Sequence, residues 1–211
     1  MRSLQLNIFM VLIKQLWTGS KHTVVSFSSI GNTVEGVNAE FYNLKNNGYN
    51  VIWVIDKNNS YFSAIDPQDI ISQIKTENVY TIGSSMGGFN AITFASLYNV
   101  KKVLAFAPQY SMDPNVVPWE NRWPKQIKWK NFKYPKLTFN SWTDYTVIRG
   151  HKGADKRHTD MFPKQKNINI QQVYGNHMVA ENFKKAGTLY NLINDYFLND
   201  IKIDKNYLAG L

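Results

Sequence analysis

Apolar residues fall in short blocks along the chain, separated by stretches with helical spacing. Val24, Val25 and Phe27 mark residues 22–28 as a strand, and 50–55, 79–82 and 102–107 read the same way. Helices are predicted over 36–47, where Val37, Phe41 and Leu44 share a face before Gly48, and over 67–75 and 87–98. After a gap the alternation resumes. It gives a strand over 136–142, a short helix over 156–162, a strand over 168–174 and a closing helix over 179–198. Val179, Phe183, Ala186, Tyr190, Ile193 and Phe197 recur along that helix at helical spacing. Strands separated by helix-length segments imply βαβ units and an α/β fold with a mostly parallel central sheet flanked by helices.

The gap, 109–134, does not follow this pattern. It holds Pro114, Pro118 and Pro124, together with Trp119, Trp123 and Trp129. Arg122 and four lysines there face only Asp113 and Glu120 as acids. A long irregular insertion in a compact domain is usually functional or mobile. It reads as a lid-like segment with three tryptophans as candidate substrate-binding residues, or as an aromatic cover packed onto the sheet.

Length and composition narrow the classes. A chain of 211 residues, 44% apolar and 18% charged, suits a single domain over 1–211 with one core. There is no cysteine, which excludes disulfides, thiolate nucleophiles and cysteine-ligated zinc and fits a cytoplasmic compartment. The net charge of +9 admits an anionic substrate or surface. The lysines are scattered and no nucleic-acid motif is present, so nucleic acid is not an expected partner. The apolar stretch 4–17 is interrupted by Asn7, Lys14 and Gln15 and lacks a small-residue cleavage site. It is also too short to span a bilayer, so it is expected to pack on the domain as a helix or strand.

The chemistry centres on Gly83-Ser84-Ser85-Met86-Gly87. A serine hydroxyl needs a base to become nucleophilic, and a sharp strand-to-helix turn to reach both base and substrate. The predicted strand over 79–82 precedes the motif and a helical stretch follows it. His177, in Tyr174-Gly175-Asn176-His177 just past the last strand, is the expected base, because base and acid follow the serine in such sites. The acid is open between Asp144, just after the strand 136–142, and Asp155, before the short helix. Asp160 is a weaker third. The backbone amides of Met86 and Ser29 are the expected oxyanion donors. Such a site needs no metal or cofactor.

Gly-Ser-Ser-Met-Gly-Gly-Phe and Leu104-Ala105-Phe106-Ala107-Pro108-Gln109 together resemble bacterial α/β-hydrolase-like proteins associated with cell-surface polysaccharide biosynthesis. Val51 to Asp56, Tyr61-Phe62 and Asp155-x-x-His158 fit the same pattern, so that the resemblance spans about residues 22–195. It implies the α/β-hydrolase fold and a Ser-His-Asp serine esterase acting on a glycan ester or another anionic, small-molecule substrate, or transferring its acyl group. It also favours Asp155 over Asp144, although the stretch 145–154 between predicted strand and acid is long for that pattern. Two other classes remain: a non-catalytic binding or assembly protein retaining this fold, and a peripheral membrane protein using its basic N-terminus.

Overall fold

The computed structural model describes residues 11–31, 40–127 and 131–211. Its centre is a sheet of seven strands: β1 (Val11–Leu16), β2 (His22–Phe27), β3 (Asn50–Asp56), β4 (Asn78–Ser84), β5 (Lys102–Phe106), β6 (Asp144–Gly150) and β7 (Ile168–Val173). Their order across the sheet is β1-β3-β2-β4-β5-β6-β7. Only β1 runs antiparallel, pairing Val11 with Asp56 and Leu16 with Val51. All other pairs are parallel.

Burial explains the strand sequences. All seven residues of β3 are buried, and β2, β4, β5 and β6 are buried along most of their length. Central parallel strands are covered on both faces and so read as continuous apolar runs. The edge strands differ: β7 alternates toward solvent, and the second half of β1 is exposed at Lys14 and Gln15. Charged or polar residues on an edge discourage pairing with another chain. The N-terminal apolar stretch is therefore an edge strand over its described part.

Helices lie on both faces. One core cluster joins Val25, Ile52, Phe89, Ile92, Val103 and Val147, and places α1 (Pro67–Ile71) and α2 (Met86–Leu97) on one side. A second joins Val24, Val51, Leu104, Ile148, Leu192 and Phe197, and places α5 (Leu189–Phe197) on the other. The helix α2 is almost wholly buried, which is why its sequence shows no polar face.

Three expectations are corrected. The predicted strand 136–142 is an irregular segment. The Asn140 side chain accepts hydrogen bonds from the Trp142 and Thr143 amides (3.2 and 2.9 Å), which turns the chain there, and Trp142 is exposed. The strand instead begins at Asp144 and continues through the apolar run to Gly150. The closing helix is two helices, α4 (Val179–Lys185) and α5, broken at Gly187 with φ of 77°. The helix 36–47 falls partly outside the described residues; its described part is a short 3-10 turn, Tyr42–Asn46. The other helices are α3 (Asp155–Thr159) and α6 (Lys205–Ala209). No helix among the described residues is long and apolar enough to cross a membrane.

Candidate active site

Five loops meet at the carboxyl ends of the parallel strands. They follow β2, β4, β5, β6 and β7, and carry Ser29, Ser85, Gln109, Asp155 and His177 respectively. The turn at Ser85 is forced by packing. Ser85 sits at φ 54°, ψ −121°, a conformation that non-glycine residues avoid. Its amide donates to the Phe106 carbonyl (2.8 Å) and its carbonyl accepts the first bond of α2 from the Phe89 amide (3.1 Å). A Cβ on Gly83 would stand 2.1 Å from the Gly87 backbone, and one on Gly87 would stand 2.2 Å from the Phe27 carbonyl oxygen. Glycine at both positions lets the turn close and lets α2 start against the end of β2.

The side chains then converge. His177 Nε2 lies 2.8 Å from Ser85 Oγ, and His177 Nδ1 lies 2.9 Å from Asp155 Oδ1. Gly150, at the end of β6, makes this approach feasible: a Cβ there would stand 2.2 Å from the Asn176 carbonyl oxygen. His151 braces the same loop, its Nδ1 accepting from the Gly175 amide at 2.9 Å. Because β6 ends at Gly150, Asp155 stands five residues beyond a strand end. The long separation expected from the sequence disappears with the misplaced strand.

Asp144 is elsewhere. It is the first residue of β6, exposed, and opposite Lys102 at the start of β5. The seven residues from Asp144 to Gly150 span roughly 20 Å of strand, so Asp144 lies at the opposite end of the sheet from His177. Asp160 caps the end of α3 and pairs with Lys156 at 2.7 Å. Neither faces the histidine.

Several features were not visible in the sequence. The Gln109 side chain, fully buried, donates from Nε2 to Ser85 Oγ at 3.0 Å. It reaches the serine because Ala107, at φ 44°, turns the chain beside the elbow, where Pro108 packs against Gly88. The Leu-Ala-Phe-Ala-Pro-Gln run was legible as a motif, but nothing in it identified the contact. Ser29, an expected oxyanion donor, has its amide engaged by Glu40 Oε2 at 2.7 Å. Met86 is the first residue of α2, so its amide has no partner within the helix.

A second cluster surrounds Asp155. Arg122 Nη1 donates to Asp155 Oδ1 (2.9 Å), and its Nε and Nη2 donate to Glu120 (2.9 and 2.6 Å to Oε2). Glu120 also accepts from His158 Nε2 at 2.7 Å. The Tyr110 amide donates to His158 Nδ1 (3.1 Å), which fixes the ring as the Nε2–H tautomer. Burial outweighs the pull of Glu120 and pushes the His158 pKa down, so this ring is neutral near pH 7. Burial opposes ionisation of both acids as well. For Asp155 it is outweighed by bonds and charge from His177 and Arg122, and for Glu120 by His158 and Arg122. Both carboxyls are held below their usual range.

A cavity of about 730 Å³ opens over Ser85 and His177, lined among others by Ser29, Tyr42, Trp123 and Lys184. Of the predicted tryptophans, Trp123 lines it, with its ring 6.0 Å from that of His177. Trp119 instead lies against His158 at 4.6 Å, with Arg157 over its ring at 3.9 Å. Trp129 lies outside the described residues. Phe132 and Tyr134 of the insertion pack edge-on against Tyr61 and Phe62.

The sequence matches no protein-family model and no curated protein. Solved structures do match. The capsule O-acetyltransferase of Neisseria meningitidis serogroup A superposes with a TM-score of 0.60 at 15% identity, over 86% of this chain and 90% of that one. A carboxylesterase structure from Nitrososphaera gargenis gives 0.58 at 12% identity, over 90% and 96%. Est1E from Butyrivibrio proteoclasticus gives 0.53 at 11% identity, over 86% and 92%. With its parallel sheet, its flanking helices and the serine turn between β4 and α2, the chain has the α/β-hydrolase fold.

Proposed function

We propose that the protein cleaves or transfers acyl esters with Ser85 as nucleophile, His177 as general base and acid, and Asp155 as the group that orients His177. The continuous chain of contacts from Asp155 through His177 to Ser85, at 2.9 and 2.8 Å, carries this reading.

In the proposed reaction Ser85 Oγ attacks the acyl carbonyl carbon as its proton passes to His177 Nε2. The imidazolium is balanced by Asp155. The carbonyl oxygen becomes an oxyanion held by the Met86 amide, at the positive end of α2, and by the Ser29 amide once Glu40 has withdrawn from it. Collapse breaks the ester bond, and the leaving alcohol takes the proton from His177. Water, or the hydroxyl of an acceptor sugar, then gives its proton to His177 and attacks the acyl-serine; collapse breaks the bond between the acyl carbon and Ser85 Oγ, and Oγ takes the proton back from His177.

Gln109 donates to the nucleophile's oxygen before attack, which leaves the serine proton to face His177. Trp123 beside His177 offers a flat apolar surface suited to a sugar ring or an acyl chain. A glycan ester fits the cavity, which is wide and lined by both aromatic and polar side chains. The likeness to a capsule O-acetyltransferase, one of whose structures was solved in complex with CoA, favours transfer of an acyl group to a sugar hydroxyl as a second reading.

A fluorophosphonate probe tests the nucleophile directly. Ser85 is expected to label in the folded protein, and labelling should vanish in Ser85→Ala and fall at least about 10³-fold in His177→Ala. Absence of labelling in the wild type would favour a binding protein retaining the fold. Acetyl-CoA and p-nitrophenyl acetate, compared as acyl donors with and without an oligosaccharide acceptor, separate transfer from hydrolysis.

A further inference from the structure

We infer that Glu120 and Arg122, both carried by the 109–134 insertion, are positioning residues that fix the charge state of Asp155 and so set the pH at which His177 works. The inference rests on the Ser85–His177–Asp155 reading and adds to it a function for the insertion.

The argument begins with Asp155 itself. Its side chain is 1% exposed, and its Oδ2 is buried with no hydrogen bond among the described residues. The whole negative charge is thus compensated at Oδ1, which meets His177 Nδ1 and Arg122 Nη1 at the same distance, 2.9 Å. A buried carboxylate without a partner takes up a proton rather than remain charged. When His177 is neutral, as a base must be before the reaction, Arg122 is the only full cation the structure places on Asp155 among the described residues. Without it the acid would tend toward the protonated form, and His177 would lose the acceptor that selects its tautomer.

Arg122 is itself held in place. It forks onto Glu120 through Nε and Nη2, and Glu120 is buried to 1% exposure. Glu120 is anchored by His158 on α3, the same helix that begins with Asp155. The insertion and the acid-bearing helix are therefore tied at two points, Arg122 to Asp155 and Glu120 to His158. The Asp155-x-x-His158 spacing places both anchor points on one helix, one turn apart.

Charge counting gives the consequence. One arginine between two carboxylates leaves the cluster with a single net negative charge, which balances the one positive charge that His177 acquires in the reaction. Other titratable groups face the cluster. Neutral His158 touches Glu120, and the buried Tyr61 hydroxyl, after β3, feels Glu120, Arg122 and Asp56. On the cavity side of His177 stand Glu40, Glu181 and Lys184. None of these changes in the variants below.

The test uses the rate of fluorophosphonate labelling of Ser85 in the folded full chain, from about pH 5 to 9, a range that brackets the ordinary working range of a histidine base. Arg122→Gln removes the cation. The imidazolium is then less repelled and the midpoint should move up by roughly one pH unit. Glu120→Gln removes an anion while keeping an acceptor for His158, and should move the midpoint down by a smaller amount. The double variant restores the net charge, and its midpoint should return close to wild type. Opposite shifts that cancel support the proposal; a purely structural role would lower the plateau rate without moving the midpoints. Unmoved midpoints, or shifts in the same direction, would overturn it. If Arg122→Gln does not fold, Glu120→Gln, nearly isosteric, decides alone by the sign of its shift. A wild type that does not label overturns the nucleophile reading instead, and the variants then have nothing to tune.

Discussion

Ser85 stands on a turn set by five consecutive residues, whereas Asp155 depends on side chains from three separate segments. The serine's backbone is strained, but Gly83, Gly87 and the ends of β2 and β5 dictate it completely. The aspartate has no comparable local determinant. It is placed by the end of β6, by a loop after β7 that passes over Gly150, and by an arginine 33 residues earlier in the chain. One half of the site is thus spelled in local sequence and closed by two neighbouring strand ends, and the other is a property of tertiary assembly alone. Changes to Ser85, His177 or Asp155 themselves should remove most of the chemistry, and changes to the side chains that hold them should tune it.

The largest expected effect separates the two aspartates. Asp155→Asn keeps the shape of the side chain but removes the charge and the tautomer control, and labelling of Ser85 should fall by about 10⁴-fold at pH 7. Asp144→Asn, at the other end of the sheet, should leave the rate unchanged. Equal losses in both, or a loss only in Asp144→Asn, would contradict the placement of the acid.

The same division explains what the sequence could and could not reveal. Strands β2 to β5 were legible because buried parallel strands are continuously apolar, and the elbow was legible because its glycines are spaced by the turn itself. The strand over 136–142 failed because Leu137 and Phe139 pack as loop residues, while Asn140 turns the chain through side-chain bonds that no periodicity records. A strand over 136–142 would also bring Asp144 close to a strand end and leave Asp155 distant from one. Helical spacing of apolar residues continues across Gly187, although a glycine near a helix end is a stop signal. Glu120, Arg122 and Gln109 stood in or beside the irregular insertion, where pattern carries no information on which side chain turns inward.

Gln109 gives the next effect in size. Gln109→Met keeps volume in a fully buried position and removes the donor to Ser85 Oγ. Labelling should slow by about 10- to 100-fold, in keeping with the loss of one preorganised donor at a reacting oxygen. An unchanged rate would show that His177 and the elbow alone orient the serine.

Stability offers a smaller measure of how the insertion is held. The Glu120 carboxyl lies below its unfolded pKa of 4.5, pulled down by His158 and Arg122 against burial. A depressed carboxyl contributes stability in full above its unfolded pKa, and loses it as pH falls through the range between the two values. Glu120→Gln should therefore cost on the order of 2 kcal/mol near pH 7, because a buried ion pair is broken. The gap in melting temperature between wild type and variant should narrow as the pH is lowered from about 5 toward 3. A gap that stays constant would mean that Glu120 contributes through shape alone and that its charge is not coupled to folding.

The smallest effect bears on the serine side, at the point where the two kinds of control meet. Ser29's amide is held by Glu40 Oε2 at 2.7 Å, so the loop after β2 carries a carboxylate on a group that would receive an oxyanion. Like charges cannot share that amide, and in the proposed reaction acylation requires Glu40 to move away. Glu40→Gln retains an acceptor for Ser29 but removes the negative charge. Acylation by an ester substrate should speed up by roughly 3- to 10-fold, since a displaced neutral amide costs less than a displaced carboxylate beside a developing anion. The gain should shrink at higher salt only slightly, because the contact is partly buried and poorly screened. A slower variant would assign Glu40 the opposite role, that of holding the Ser29 loop in the shape the oxyanion needs, and would extend to the serine side the dependence on distant side chains that governs Asp155.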